Sequence, residues 1–236
     1  MSSALLGGGL ALLLVLFFVG FVVLVVVLVR AGIRQARERR EALAGFAAAR
    51  EWTYREADPS LVDRFHGSPF GTGSGRRATN CLYGRHNGRA MVAFDYHYTT
   101  SSGSGDDRRS SSHSYSVVAL NLGVQVPALA VSPEGAVGRF FGRLTNRDIQ
   151  LGSPAFDHAF TVTSDDRRFA ADVLHPQMVQ LLLQWPALGW RFEGDSMVVI
   201  NRGTHAPVQV DATLAVMDAV LAHVPEAVWQ RLLGRR

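Results

Sequence analysis

From Ala4 to Val29 the chain holds no charged and no strongly polar residue, a run of 26 positions. At about 1.5 Å of rise per residue, a helix of that length reaches about 39 Å, more than the roughly 30 Å of a bilayer's hydrocarbon core. In lipid every backbone amide must bond within the segment, and for a single segment only a helix does this. The pattern predicts one transmembrane helix over 4–29, preceded by a three-residue tail (1–3). A cleaved signal peptide would have a basic n-region, a shorter apolar stretch and a small-residue cleavage site. Here Met1-Ser2-Ser3 carries no side-chain charge, and the run ends at Arg30. The segment reads as a retained anchor.

After the anchor the pattern changes twice. Residues 30–50 are rich in Ala, Arg, Gln and Glu, good helix formers, and predict a basic juxtamembrane helix. From residue 51 to 236 short alternating runs give way to helical periodicity, which predicts one globular domain. Glu51–Glu56 alternates Trp52 and Tyr54 with polar residues, a strand signal. Asn87-Gly88 between Asn80–His86 and Arg89–Tyr98 is a hairpin signal, because a type I′ turn needs positive φ at both central positions. Within Arg89–Tyr98, Ala90, Val92, Phe94, Tyr96 and Tyr98 share one face, and Met91, Ala93, Asp95 and His97 the other.

Thr99–His113 is Ser/Gly-rich and polar and predicts a mobile loop over 99–113, joining strands 89–98 and 114–122. Further along, the pattern predicts a strand at 126–131, a short helix at 133–144, a strand at 155–163 and a helix capped by Ser164. A helix begins at Pro176, a hairpin turns at Gly194-Asp195, and an amphipathic helix covers 211–223. The sum is an α+β fold: an N-terminal transmembrane helix, then a mainly antiparallel sheet with helices on one face. The regular strand–helix alternation of a parallel nucleotide-binding sheet is missing.

The formal charge of +4 hints at nucleic acid, but its distribution removes the hint. Residues 30–50 carry six Arg and two Glu, while 51–236 carry equal numbers of Arg and of Asp plus Glu. The excess therefore sits beside the membrane, and the globular domain lacks the basic face that phosphate backbones require. Arg30, Arg34, Arg37, Arg39 and Arg40 are the candidate membrane-surface contacts, attracted to anionic headgroups. No Arg precedes the span, so the positive-inside rule places the N-terminus outside and the domain in the cytoplasm. The lone Cys81 cannot form an internal disulfide, in keeping with that side.

Chemistry is sparse. The stretch Gly71–Gly75 precedes a strand rather than opening a helix, so it lacks the amides of a phosphate cradle. Asp157 and His158 are adjacent on the expected strand and point to opposite faces. Asp95 and His97, two apart on one strand, together with His113 form a candidate metal set, since two imidazoles and a carboxylate suit several divalent ions. The plainer alternative is a polar sheet face. No catalytic motif occurs, no catalytic residue is proposed, and no cofactor is implied.

Five stretches, Arg40–Tyr54, Phe65–Phe70, Ala90–Tyr98, Ser114–Leu122 and Val173–Leu183, resemble a family of single-span membrane proteins of high-GC Gram-positive bacteria. The resemblance implies the same architecture and carries no activity. The role expected from all this is a membrane-anchored interaction or scaffold domain on the cytoplasmic face, with a protein or lipid partner and no nucleic acid. The alternatives are an enzyme with a metal-assisted site at Asp95, His97 and His113, and a lipid- or small-ligand-sensing module.

Overall fold

The computed structural model describes residues 2–103, 109–134 and 149–234, with side chains from residue 17 onward. Helix α1 runs Ser2–Ala48 without a break. It is long and apolar enough to cross a membrane, and from Phe17 to Val29 its side chains are exposed. Two compact units are present: one ends at Ala42 and the other runs Leu43–Arg236. The juxtamembrane stretch expected over 30–50 is thus helical to Ala48, and its last residues, with Leu43 and Ala47 buried, belong to the globular unit.

That unit is built on eight strands: β1 Thr53–Ala57, β2 Ser74–His86, β3 Arg89–Ser102, β4 Arg109–Asn121, β5 Leu129–Pro133, β6 Phe160–Ser164, β7 Trp190–Glu193 and β8 Ser196–Arg202. They form one antiparallel sheet in the order β1-β2-β3-β4-β8-β7-β5-β6. Five further helices are described: α2 Pro154–Ala159, α3 Arg167–Val173, α4 Pro176–Leu183, α5 Pro207–His223 and α6 Glu226–Leu232. The α+β reading holds. Asn87 (φ 47°) and Gly88 (φ 80°) form the expected turn between β2 and β3.

The two faces of the sheet are covered differently. Leu82, Ala93, Val118, Leu120, Met197 and Val199 pack with apolar residues of α2 to α6 in one core. Cys81, Phe94, Tyr96, Val117 and Val198 lie on the opposite face under Leu61, Phe65 and Phe70, which come from the irregular chain between β1 and β2. Phe65 stacks over Phe94 at 6.4 Å between centroids, and Phe70 meets Tyr96 edge-on at 4.8 Å. Offset and edge contacts of this kind add to the area each ring buries. At the β1 edge, Trp52 closes over Gly84, where a Cβ would fall 2.1 Å from the indole. Its Nε1–H donates to the Arg85 carbonyl at 3.1 Å.

Several local expectations change. The mobile loop expected over 99–113 is mostly sheet: Thr99 pairs with Ser112, Thr100 with Ser111, Ser101 with Ser110 and Ser102 with Arg109. Serine and threonine satisfy strand geometry here because the flanking hairpin already fixes the register. The strand expected over 155–163 starts as helix α2, because Pro154 takes the first helical position, and the chain turns extended only at Phe160, whose ring lies 4.9 Å from that of Phe156 in a tilted contact. Asp166, not Ser164, caps α3, accepting from the Phe169 N–H at 3.0 Å. Of the helix expected over 133–144, Pro133 ends β5, and 135–144 lie outside the described residues.

Candidate functional site

Strand β7 reads Trp-Arg-Phe-Glu. Side chains alternate along a strand, so Trp190 and Phe192 enter the helix-side core and Arg191 and Glu193 face the other way. On a sheet with one solvated face that would expose a charge. Here Arg191 is 5% exposed, with its guanidinium carbon 5.5 Å from the Phe70 ring. Glu193 is placed as its counter-charge, with Oε2 2.8 Å from Arg191 Nη2. The other carboxylate oxygen accepts from the His66 backbone N–H at 2.7 Å and lies 3.0 Å from His66 Nδ1. Burial works against the charge on Arg191, and the neighbouring carboxylate opposes that effect.

A cavity of about 210 Å³ opens beside this guanidinium. Arg191 pairs with Val198, so alternation puts Val198, Ile200 and Arg202 of β8 on the same side of the sheet. Ser132 of β5 adds a buried hydroxyl to the lining. On the opposite face, in the helix-side core, the Trp190 indole N–H is buried without a hydrogen-bond partner among the described residues. The site thus combines two arginines, one buried, with an aliphatic floor. Its positive charge and apolar lining suit an anion, and among the described residues it presents no nucleophile–base pair.

The sequence-derived metal set divides between the two faces. Asp95 is fully buried on the helix side, where it accepts from Asn80 Nδ2 and from the His205 backbone N–H, each at 2.9 Å. His205 Nδ1 lies 3.0 Å from Asp95 Oδ1, close enough for charge attraction but out of line for a hydrogen bond. Burial pulls the Asp95 carboxyl upward. The His205 ring, the Asn80 amide and the His205 N–H outweigh it and hold the group below its ordinary range. His97 shares the face of Asp95 and bonds to Thr79 Oγ1 at 3.0 Å and Ser114 Oγ at 2.8 Å. His113 stacks on Tyr98 at 4.8 Å, on the opposite face, and bonds to Thr100 Oγ1 at 2.9 Å. Among the described residues no three His, Cys, Asp or Glu side chains stand together as metal ligands.

Asp157 accepts from the Leu151 N–H at 3.1 Å and sits on α2 rather than on a strand. Gly73 of the glycine stretch is pressed against β3, where a Cβ would meet the Thr99 carbonyl at 2.4 Å, so this segment is sealed onto the sheet. On α1 the basic residues are outward, with Arg34 bonded to Glu38 and Arg37 to Glu41, each at 2.8 Å.

Sequence reasoning missed Arg191 and His205. A signal for the first exists: an arginine between two aromatic strand residues must face away from their core. His205 follows Gly203-Thr204 with nothing to tie it to Asp95, 110 positions earlier.

No family model and no curated protein matches the chain. Among solved structures, the crystal structure of the mycobacterial trehalose monomycolate transport factor A, TtfA, is similar, with a TM-score of 0.57 and 18% identity. The match covers 80% of this chain and 97% of that one. The likeness establishes a shared fold.

Proposed function

We propose that this chain is a membrane-anchored accessory protein of a lipid-transport system, its globular unit serving as an interaction domain on the cytoplasmic face. The observation that carries the reading is the fold shared with a lipid-transport factor along 97% of that protein's chain, in a protein that also has a helix able to span a membrane. The clustered Arg30, Arg34, Arg37, Arg39 and Arg40 support the orientation, since such clusters stay on the cytoplasmic side and each adds about 1 kcal/mol of attraction to anionic headgroups. The β3–β4 ribbon, which runs out to Ser102 and Arg109, offers a surface for a protein partner.

Crosslinking in native membranes tests this. The intact protein should capture a reproducible membrane-protein partner, and a variant with 99–113 replaced by a short turn should lose it. Capture that is indifferent to the ribbon would remove it from the interface, and no capture at all would remove the interaction reading. A C-terminal reporter active only in the cytosol should be active; activity from an exterior-only reporter would reverse the orientation.

A further inference from the structure

On the helix side of the sheet, Asp95, Ser116 and Asn201 stand level on β3, β4 and β8, each directly opposite the next. Facing residues of paired strands share a side, so the three form one polar row. Asp95 is bonded to Asn80 and to the His205 N–H. The side chains of Ser116 and Asn201 enter no hydrogen bond among the described residues, and neither do those of Thr204, which follows β8, and Thr213 of α5. All four line one cavity of about 210 Å³, together with Val118 and Ala212. His205 lines it too, 2% exposed, with neither ring nitrogen hydrogen-bonded among the described residues, although Nδ1 faces Asp95. Ser116 is itself buried. Polar groups buried this far are ordinarily satisfied by the protein or by something held beside them. The volume is well above the roughly 30 Å³ share of one water, so a small molecule fits.

We propose that this cavity binds a small neutral polyol, with its hydroxyls bonded to Ser116, Asn201, Thr204 and Thr213 and its carbons resting on Val118 and Ala212. Hydroxyl and amide groups both donate and accept, so four of them in one wall are matched by a ligand that does the same at adjacent atoms. An alcohol with a lone hydroxyl leaves most of them unmatched. No Asp or Glu among the described residues lines the cavity to attract a cation. The Asp95 carboxylate, fully buried one strand from Ser116, opposes an anion. Arg202 borders the cavity, but alternation turns its side chain to the other face of the sheet. No Trp, Tyr or Phe among the described residues lines the wall, so it offers no platform for a flat ring, and a short open chain suits it best. The inference does not depend on the interaction reading, since it concerns a ligand and not a protein partner.

The full chain, isotope-labelled at histidine, is titrated in polyoxyethylene detergent micelles, which carry no sugar headgroup. The probes are erythritol, butane-1,4-diol and erythronate at matched ionic strength. Two NMR signals are followed: the His205 ring resonance, assigned by its loss in His205→Gln, and saturation transfer from protein to probe. Erythritol should give a saturable response in both. Butane-1,4-diol, which lacks the inner hydroxyls, and erythronate, which carries a charge, should each bind at least tenfold more weakly. Thr213→Val exchanges one hydroxyl for a methyl at a half-buried helix position and should weaken erythritol about threefold to tenfold, as expected for one hydrogen bond. Ala212→Trp, on the exposed part of the same wall, should abolish binding by filling the space. If that variant fails to fold, Thr213→Val decides alone. No saturable response to erythritol would mean that the cavity holds water only. That result, equal binding of butane-1,4-diol or erythronate, or unchanged affinity in Thr213→Val would overturn the assignment.

Discussion

The two halves of the sheet are built on different principles. Strands β2, β3 and β4 have 13, 14 and 13 residues, and they follow one another in sequence and in space. Strands β5, β6 and β7 have 5, 5 and 4 residues, and they are ordered β7-β5-β6 with helices inserted between them in sequence. In the first half a local turn sets the register and the strands carry it outward. In the second, short strands are placed by what packs on them. The buried arginine and its cavity lie in the second half, where a strand of four residues is held by its neighbours and a charge can be accommodated without disturbing a long ladder. Regular pairing builds the frame, and irregular packing builds the site.

Four measurements break or sharpen that contrast. The largest effect is expected at Phe94 in the long half, fully buried and stacked under Phe65. Phe94→Ala should cost about 3–5 kcal/mol in chemical denaturation, the range for a large ring removed from a core. A loss under about 1 kcal/mol would mean that the loop-side core is not cooperative with the sheet. Next comes Asp95, which links β3 to the chain that leaves β8. Asp95→Ala should cost about 3 kcal/mol, because buried donors lose their acceptor. The pH dependence has a definite sign. The folded state holds this carboxyl below its ordinary range, so its stabilisation is complete above about pH 4 and is lost as pH falls through the lower folded value. Asp95→Asn should flatten that acid limb.

Smaller still is Gly88→Ala, at φ 80°, expected to cost about 1–2 kcal/mol because an L-residue is strained there. If it costs nothing, the turn does not set the register. The smallest effect is kinetic. Cys81 is fully buried beneath the loop-side cover. Burial, with the negative charge of Asp58 adding to it, pushes its thiol up to about 12. Native protein should resist iodoacetamide at pH 8 and react only when unfolded; fast labelling would show that the cover opens.

The contrast also explains what could be read from the chain. The long half was legible because its information is local: Asn87-Gly88 declares the turn, and Val92, Phe94 and Tyr96 against Met91 and Ala93 declare the faces. Even there, composition misled over 99–113, where Ser and Thr read as loop although the hairpin's register carries them as strand. The short half resisted reading. Residues 155–163 look like one strand until Pro154, just before them, is recognised as the opening of a helix. Arg191 is buried by a segment with no regular structure, whose covering residues Phe65 and Phe70 carry no periodicity to announce it. The metal candidates failed to converge for the same reason. His113 follows the register of β4, where it pairs with Tyr98 and so takes the face opposite Asp95, and that register was hidden while 99–113 read as a loop. His205 reaches Asp95 only through the three-dimensional path of β8.

The closure of Trp52 over Gly84 has a consequence for how this chain can drift over generations. Any side chain at 84 must evict the indole, and losing the indole leaves a bare groove along the β1 edge. Neither position is free to wander alone, so across descendants of this sequence 52 and 84 should behave as one inherited character. Where a larger residue appears at 84, a small one should have appeared at 52.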